Sequence, residues 1–301
     1  MNTTTWIGVI LHPIGIASAL LVLLSIIGLT AIDKKLSNRM TVRLIAAIAL
    51  ADLLSHTAEL YAAWRGGLKL SSNLCHAVNG FRLFGRTFYA FTNLAICFHL
   101  YRSLVQIKKS TWKFESITWI VTSVMTAIFT LIYWGLGAFS GVERKVGCNP
   151  GADDLTLNSV FYAIAGLVDL ATIVSGIFIT ISGHRNLNKW INVYSATLTP
   201  SANNHEQLIK DRRKLAIRSF LYPLSTSITL PFECIFLFLN AGNLFVFQLT
   251  IPMAITIGIS GLLTGLAFTV DPATHTSFKS AYYQLMSRNT GKKYPEEFGM
   301  K

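Results

Sequence analysis

Several side chains that can bind a charged group fall on one face of a predicted helix. Positions 82, 86, 89, 93 and 97 are separated by four, three, four and four residues, which is the spacing of a single helix face. A guanidinium group presents a planar pair of donors that suits a carboxylate or a phosphate. The pattern therefore predicts a site for an anionic or zwitterionic ligand. The members of this face are Arg82, Arg86, Tyr89, Asn93 and Cys97.

Two acids offer the same arginines a partner within the protein. By residue count, Glu59 and Glu233 lie at depths in their own apolar segments that are comparable to those of the arginines. Two interpretations stay open, because the arginines could bind a ligand or could pair with the acids and hold the segments together. Both interpretations apply, one after the other, if an entering ligand displaces an acid from its arginine. The expected ligand site comprises Arg82, Arg86, Tyr89, Glu59 and Glu233.

A further carboxylate, Asp52, lies in the middle of another apolar segment. It follows Met40 by 12 residues, or about 18 Å at the helical rise per residue. Where such a segment crosses a membrane, a carboxylate at this depth is costly and tends to be functional. The open alternative is a protonated Asp52 that is hydrogen-bonded to neighbouring helices.

The composition of the chain shows what surrounds these residues. Of 301 residues, 52% are hydrophobic and 13% are charged, whereas soluble domains have about 25% charged residues. A water-soluble fold could not bury so much apolar surface, so we predict an all-α membrane protein. The formal net charge of +12 is spread between the apolar segments, which argues against nucleic acid as a partner.

Seven apolar segments are long enough to cross a bilayer as helices, which takes about 20 residues each. The third is the least apolar, and its polar face indicates a place inside the helix bundle. The longest interval between segments, 183–214, is too short for a further domain. The predicted spans, called the first to the seventh span, are 8–32, 40–64, 79–107, 115–139, 158–182, 215–239 and 245–270.

Lysine and arginine residues near the span ends predict the orientation, because they favour the cytoplasmic side. Of the 26 in the chain, 20 fall on one side and 4 on the other. We therefore expect a protein of the plasma membrane with its N-terminus outside and an uncleaved first span. Asn2 begins an Asn-Thr-Thr glycosylation sequon on the predicted outer face, although so short a motif also occurs by chance.

A short amphipathic helix is predicted after the seventh span. Apolar side chains recur at helical spacing from Phe278 to Met286, which is typical of a helix that lies on a membrane surface. We expect this interfacial helix at about 273–287, against the lipids of the cytoplasmic leaflet. The predicted domains are a seven-helix domain at 1–287, which includes this helix, and a short cytoplasmic tail at 288–301.

Motifs in three spans resemble those of a known family. The stretch A-L-A-D-L-L around Asp52 is similar to the L-A-x-A-D-L-L stretch of the rhodopsin-like G-protein-coupled receptors. Asp271 and Pro272 begin D-P-A-T-H, which resembles the N/D-P-x-x-Y of that family with His275 in place of tyrosine. Pro231 matches the proline of C-W-x-P-F, although its cysteine and tryptophan are replaced. The chain thus looks like a distant member, of the fungal or amoebal sort.

The resemblance implies an activation switch that includes Asp52, Asn93, Pro231, Asp271 and Pro272. Within it, Asp52 would help to hold a sodium ion or a proton whose release accompanies activation. A proline inside a helix removes a backbone donor and clashes with the preceding turn. Pro231 and Pro272 would therefore bend the sixth span and let the inner end of the seventh swing.

Arg102 takes the place of the arginine in the D-R-Y motif of the family, within Tyr101-Arg102-Ser103. The resemblance implies that it belongs to the switch and faces the G protein, although it has no acidic neighbour to hold it. The open alternative is an arginine at the membrane edge that reaches lipid phosphates. A basic segment before the sixth span is the expected contact with a heterotrimeric G protein. Its residues are Lys210, Arg212, Arg213 and Lys214.

The resemblance also implies a disulfide bond at the outer end of the third span. In the family this bond joins a cysteine at that end to a second one in the next outer loop, and Cys75 and Cys148 occupy these places. The other two, Cys97 and Cys234, fall within spans. Two unpaired surface thiols are the alternative.

These features predict a G-protein-coupled receptor for a small extracellular ligand. The alternative is a seven-helix transporter or channel for a small solute, but neither internal repeats nor broken spans are evident, and the glycines of the seventh span suit close packing. The range 245–270 has no lysine for retinal. An enzyme or metal site is least favoured, because the histidines are scattered over loops and helix ends without converging on zinc. No cofactor is expected beyond a sodium ion near Asp52.

Overall fold

The computed structural model describes residues 3–64, 68–106, 108, 110–142, 148–197 and 202–290. Within these ranges, the side chains at 104, 187, 188, 190–197, 202–220, 272, 273, 289 and 290 lie outside the description. Asn2 and the tail beyond residue 290 lie outside it too, as do the side chains of Lys210, Arg212, Arg213 and Lys214. What the sequence predicts for these groups stays a prediction.

All regular structure in the described residues is helical, and seven long helical segments follow one another along the chain. This confirms the predicted all-α seven-helix fold. A π-helical turn, Tyr101–Val105, continues the third span, and a 3-10 turn, Phe247–Leu249, precedes the seventh. The first six spans are Thr3–Ile32, Met40–Trp64, Asn73–Leu100, Trp112–Gly135, Leu155–Thr197 and Ala202–Ala241. The seventh consists of Thr250–Gly258 and Ser260–Val270.

Six of these spans are long and apolar enough to cross a membrane, so the chain is a multi-pass membrane protein. The third span is 28 residues long and is the one of the seven that is not apolar enough to be counted among these six. Its polar side chains point inward, since Asn79 and Thr92 are fully buried. In a bundle surrounded by lipid, polar side chains are placed where other helices can satisfy them. The predicted position of the third span inside the bundle is confirmed.

The fifth and sixth spans extend further than predicted. The sequence placed a break at 183–214, but the helices Leu155–Thr197 and Ala202–Ala241 have 43 and 40 residues and occupy most of it. Neither glycine nor proline occurs at 184–199 or at 202–214. Without these residues nothing stops the helices where the apolar stretches end. The predicted bounds 158–182 and 215–239 were therefore too short at the ends that face this interval.

Glycines allow the first, second and seventh spans to approach closely. A Cβ atom on Gly261 would lie 2.7 Å from the carbonyl oxygen of Gly15 and 3.0 Å from His56 Nε2. One on Gly258 would lie 2.7 Å from the Cβ of Leu11. Small residues at such contacts let helices pack backbone to backbone in lipid. The expected packing role of these glycines is confirmed.

The seventh span ends at Val270, and Pro272 begins a separate helix. Asp271 between them has an extended conformation, with φ −61° and ψ 116°. The expected hinge within a continuous helix is therefore wrong. Proline disfavours the helical conformation in the residue before it but is well tolerated at the first position of a helix. The chain thus stops one helix and starts the next at this dipeptide.

A helix is present where the interfacial helix was predicted and runs over Pro272–Thr290, while its position on a membrane surface stays a prediction. It contacts the short helix Lys34–Ser37, because Ser277 Oγ donates to the carbonyl of Leu36 at 3.3 Å. Gln284 Nε2 donates to Asp33 Oδ2 at 3.2 Å. The pKa of the Asp33 carboxyl is lowered by hydrogen bonds, first from the backbone N–H of Lys35 and then from Gln284. Large exposed side chains on this helix are Phe278, Tyr282 and Leu285.

Candidate functional site

The N-terminal end of the third span, which the sequence predicts to face outside, is fixed by a cap and a disulfide bond. Ser72 Oγ accepts a hydrogen bond from the backbone N–H of Cys75 at 3.2 Å, which satisfies a free donor at the helix start. Cys75 is bonded to Cys148, as predicted. The bond holds part of the following outer loop over the end of the third span, close to the first arginine.

Arg82 joins the second span, the third span and this outer loop. Its Nε and Nη2 atoms each lie 2.7 Å from an oxygen of Glu59, so the ion pair is bidentate. Nη1 donates to the carbonyl of Cys148 at 3.2 Å and to Asn79 Oδ1 at 3.3 Å. Paired guanidinium and carboxylate groups of this geometry are among the stronger polar contacts in proteins.

Arg86 joins the third span to the sixth. Its Nε donates to Glu233 Oε1 at 3.2 Å, and Nη2 forms a second ionic contact with the same carboxylate. The guanidinium carbon lies 5.8 Å from the centre of the Tyr89 ring. The Tyr89 hydroxyl is 3.4 Å from Thr229 Oγ1, again on the sixth span.

The five residues of the predicted ligand site are therefore brought together by the fold. The internal ion pairs that one interpretation required are present, and they connect the second and sixth spans through the third. A ligand that binds an arginine here has to compete with an acid that already occupies it. Such competition would couple ligand binding to the packing of three helices.

Asp52 is buried, with 2% of its surface exposed. Ser260 Oγ donates to its Oδ1 atom at 2.9 Å, and Thr264 Oγ1 donates to Oδ2 at 2.8 Å. The hydrogen bonds to a neighbouring helix that one interpretation required are thus present. Sequence reasoning missed both hydroxyl groups, although their four-residue spacing places them on one face of the seventh span.

His56 explains the interruption of the seventh span. Its Nε2 atom accepts a hydrogen bond from the backbone N–H of Gly261 at 3.2 Å. That N–H is then lost to the helical hydrogen-bond ladder, and a side chain inserted there interrupts a helix. The two parts of the span meet at Ile259. The expectation of unbroken spans was wrong, because it ignored side chains from other helices.

His12 lies within the first span and faces His56, so its predicted place among loops and helix ends was wrong. The two Nδ1 atoms are 3.0 Å apart. Because His56 Nε2 accepts from a backbone N–H, a neutral His56 ring has its proton on Nδ1 and donates it to His12. The first, second and seventh spans thus share one buried polar cluster, which also includes Asp52, Ser260, Gly261 and Thr264.

The remaining predicted switch residues do not join this cluster directly. Asn93 is buried and donates from its side-chain amide to the backbone carbonyl of Tyr89 at 2.9 Å. Among the hydrogen bonds of the described residues, none connects Asn93 with Asp52. Pro231 lies inside the sixth span, as predicted. Asp271 is buried at the inner end of the seventh.

Arg102 lies at the inner end of the third span, in the π-helical turn Tyr101–Val105. Its guanidinium carbon is 4.1 Å from the centre of the Phe114 ring at the start of the fourth span. Next to this ring, Glu115 forms a bidentate ion pair with Arg43, with both N···O distances 2.5 Å. An aromatic face, rather than a neighbouring acid, is thus the partner of Arg102.

One acid of the interior was missed by sequence reasoning. Asp169 lies on the fifth span with 9% of its surface exposed. It interacts electrostatically with Arg86 and with the side chains of Tyr133 and Cys234. The sequence did contain a signal, because Asp169 is the one charged residue in the range 158–182.

Seven helical spans, an outer disulfide bond and a short helix after the seventh span define the fold of the rhodopsin-like G-protein-coupled receptors, and this chain has that fold. The structure is similar to the crystal structure of squid rhodopsin, with a TM-score of 0.69 and 13% sequence identity. The similarity covers 98% of this chain and 88% of that chain. No protein-family model and no curated protein sequence matches the chain.

Proposed function

We propose that the chain is a G-protein-coupled receptor of the plasma membrane that binds a small anionic or zwitterionic ligand. The observation that carries this proposal is the pair of ion pairs, Arg82 with Glu59 and Arg86 with Glu233, inside a receptor-type fold. The distribution of basic residues supports an extracellular N-terminus, which places both ion pairs towards the outside.

The ligand acts by exchanging partners. An acidic group that binds Arg86 releases Glu233, and one that binds Arg82 releases Glu59. Each release breaks a contact between two spans, so the ligand favours a packing in which those spans are free to move. Binding energy is converted in this way into a population shift towards the active state.

Asp52 provides the setting for a sodium ion. Each of its two carboxylate oxygens lies within hydrogen-bond distance of one hydroxyl, Ser260 Oγ at 2.9 Å and Thr264 Oγ1 at 2.8 Å, and sodium prefers oxygen ligands. When bound, the ion supplies a positive charge that holds the second and seventh spans together. If a sodium ion binds here, Asp52→Asn removes the dependence of agonist potency on sodium concentration. A potency that responds to sodium equally in the wild type and the variant contradicts this role.

On the cytoplasmic side, Arg102 and the basic segment Lys210, Arg212, Arg213 and Lys214 contact the G protein. Arg102 is held against Phe114 in the inactive state and becomes available when the inner end of the third span moves. The long inner parts of the fifth and sixth spans extend the surface that a partner meets.

The test is nucleotide exchange on heterotrimeric G proteins co-expressed with the full chain. A panel of small acids, amino acids, sugars, nucleotides and peptides is screened for compounds that accelerate exchange. Activation by at least one acidic or zwitterionic compound, lost when Arg82 and Arg86 are both changed to Gln, is the expected result. Activation that is confined to uncharged compounds, or that survives this double change, contradicts the proposal.

A further inference from the structure

Asp169 lies at the same depth as the ion pair between the third and sixth spans. Gly166, on the same span, packs against Leu237, and its carbonyl is 3.6 Å from Cys234 Sγ. The fifth and sixth spans are antiparallel neighbours. Three residues further inward, Asp169 is therefore level with Cys234 and Glu233, and its electrostatic interaction with the Cys234 thiol agrees with this position.

The acids at this level outnumber the cations. Arg86 already forms one hydrogen bond and a second ionic contact with Glu233. The same guanidinium is the cation that acts electrostatically on Asp169 and also on Asp52. Among the described residues, Asp169 makes no hydrogen bond, although only 9% of its surface is exposed. A buried carboxylate that makes no hydrogen bond and shares its cation with another acid destabilises a fold, so its presence calls for another explanation.

A purely anionic ligand would worsen this imbalance. If its acidic group took Arg86 from Glu233, two neighbouring carboxylates, Glu233 and Asp169, would both be left without a cation. A ligand that also bears a positive group would supply that cation at the moment when Glu233 is released. The charges of the site are therefore balanced by a zwitterion and not by a simple anion.

We propose that Asp169 binds the cationic group of a zwitterionic ligand whose acidic group binds Arg86. This inference rests on the proposed receptor function and narrows its ligand class to molecules with an ammonium or guanidinium group and a carboxylate or phosphate. The ligand then bridges the third and fifth spans and takes the place of the bond between the third and sixth.

The first test needs no ligand. The full-length protein and its Asp169→Asn variant are purified in detergent, and their thermal unfolding is compared. Because the carboxylate makes no hydrogen bond among the described residues and shares Arg86 with Glu233, the variant should melt at the same temperature as the wild type or higher. The matched control is Asp33→Asn, which changes an acid on the cytoplasmic side. A clearly lower melting temperature for Asp169→Asn would mean that the acid has a structural partner, and the inference would be wrong.

The second test measures stabilisation by amino acids. Each common amino acid is added beside the acid that lacks its ammonium group and the amine that lacks its carboxylate. At least one zwitterion should raise the melting temperature of the wild type more than both of its analogues do. That advantage should be absent in Asp169→Asn and retained in Asp33→Asn. If no zwitterion exceeds its analogues, or if the advantage survives in Asp169→Asn, the inference is wrong.

These measurements separate this inference from the proposed function. Thermal stabilisation reports binding without any G protein, so a chain that fails to drive nucleotide exchange can still bind a zwitterion at Asp169. Conversely, a receptor whose agonist is a simple anion would pass the exchange assay and fail the comparison with Asp169→Asn.

Discussion

Arg82 and Arg86 differ in the contacts that remain to each guanidinium group when its paired acid is displaced. Arg82 keeps two further acceptors, Asn79 and the carbonyl of Cys148, if Glu59 is displaced. Arg86 has one carboxylate and the face of an aromatic ring. A ligand can therefore replace the acid partner of Arg86 more completely. Arg82 stays in place through its other contacts and offers the ligand a second binding group.

We expect Arg82→Gln and Arg86→Gln each to weaken agonist potency by about tenfold or more, which corresponds to the roughly 1.5–3 kcal/mol of a charge-assisted hydrogen bond. Glu59→Gln should instead raise basal activity, because it releases Arg82 without a ligand. Potency and basal activity are read from nucleotide exchange. The prediction would be contradicted if all three variants lost surface expression to a similar extent and the remaining protein bound ligand normally. These residues would then have a structural role alone.

Phe114 is expected to restrain Arg102. A cation–π contact contributes about 0.5–2 kcal/mol, so Phe114→Ala should raise basal nucleotide exchange a few-fold by freeing the guanidinium. Phe114→Tyr retains the ring face and is the matched control. Basal activity that is equal in all three proteins at equal surface expression would show that the ring does not hold Arg102.

At the scale of the helices, the contacts best predicted from the sequence were those that a membrane environment requires of charged residues. An arginine inside a span is costly without a partner, so charge and depth made the pairing of Arg82 and Arg86 with Glu59 and Glu233 one of two interpretations, and these ion pairs are present. The contacts of Ser260 and His56 did not follow, because hydroxyl groups and imidazoles are also common at sites without function. Their partners depend on the rotation and axial position of one helix against another, which residue counts along a single helix do not contain.

The close packing of the seventh span gives a prediction about stability. Gly261→Ala should lower thermal stability by about 1–3 kcal/mol, because its methyl group has no space beside Gly15 and His56. Gly28→Ala on the first span is the matched control, since nothing lies within 4 Å of the added atom. The control should be neutral or stabilise by up to about 1 kcal/mol, because alanine favours a helix. Equal unfolding temperatures for the two variants would contradict this packing.

At the scale of the whole molecule, basic residues are concentrated on the side where the fifth and sixth spans are longest. Changing Arg212, Arg213 and Lys214 to Glu should abolish G-protein activation and leave ligand binding intact, because the substitutions lie far from the arginine pairs. Binding is measured by ligand-induced stabilisation and activation by nucleotide exchange. Signalling that persists at normal surface expression would place the G-protein contact elsewhere.

The overall fold could be predicted because apolar length and alternating loop charge are properties of the sequence alone. The ends of the helices could not, since the apolar stretches stop before the helices do in the fifth and sixth spans. Asp169 was missed for a related reason. A single acid in an apolar segment becomes informative only when its neighbours, and its lack of a hydrogen-bond partner among the described residues, are known.

The polar cluster and the glycine contacts together restrict the axial position of the seventh span. Thr256, Ser260 and Thr264 repeat every four residues and form a ladder of hydroxyl groups beside Asp52 and His56. A slide of one helical turn towards the cytoplasm, about 5.4 Å, would bring each acceptor opposite the next hydroxyl of the ladder. The same slide outward would bring Phe268 opposite Asp52 and leave the carboxylate facing a hydrocarbon ring. An inward step would, however, put Ile257 in the place of Gly261, where an added Cβ would lie 2.7 Å from the carbonyl oxygen of Gly15. The hydroxyl ladder and the glycine contacts therefore hold the seventh span at one axial position, since neither step satisfies both of them.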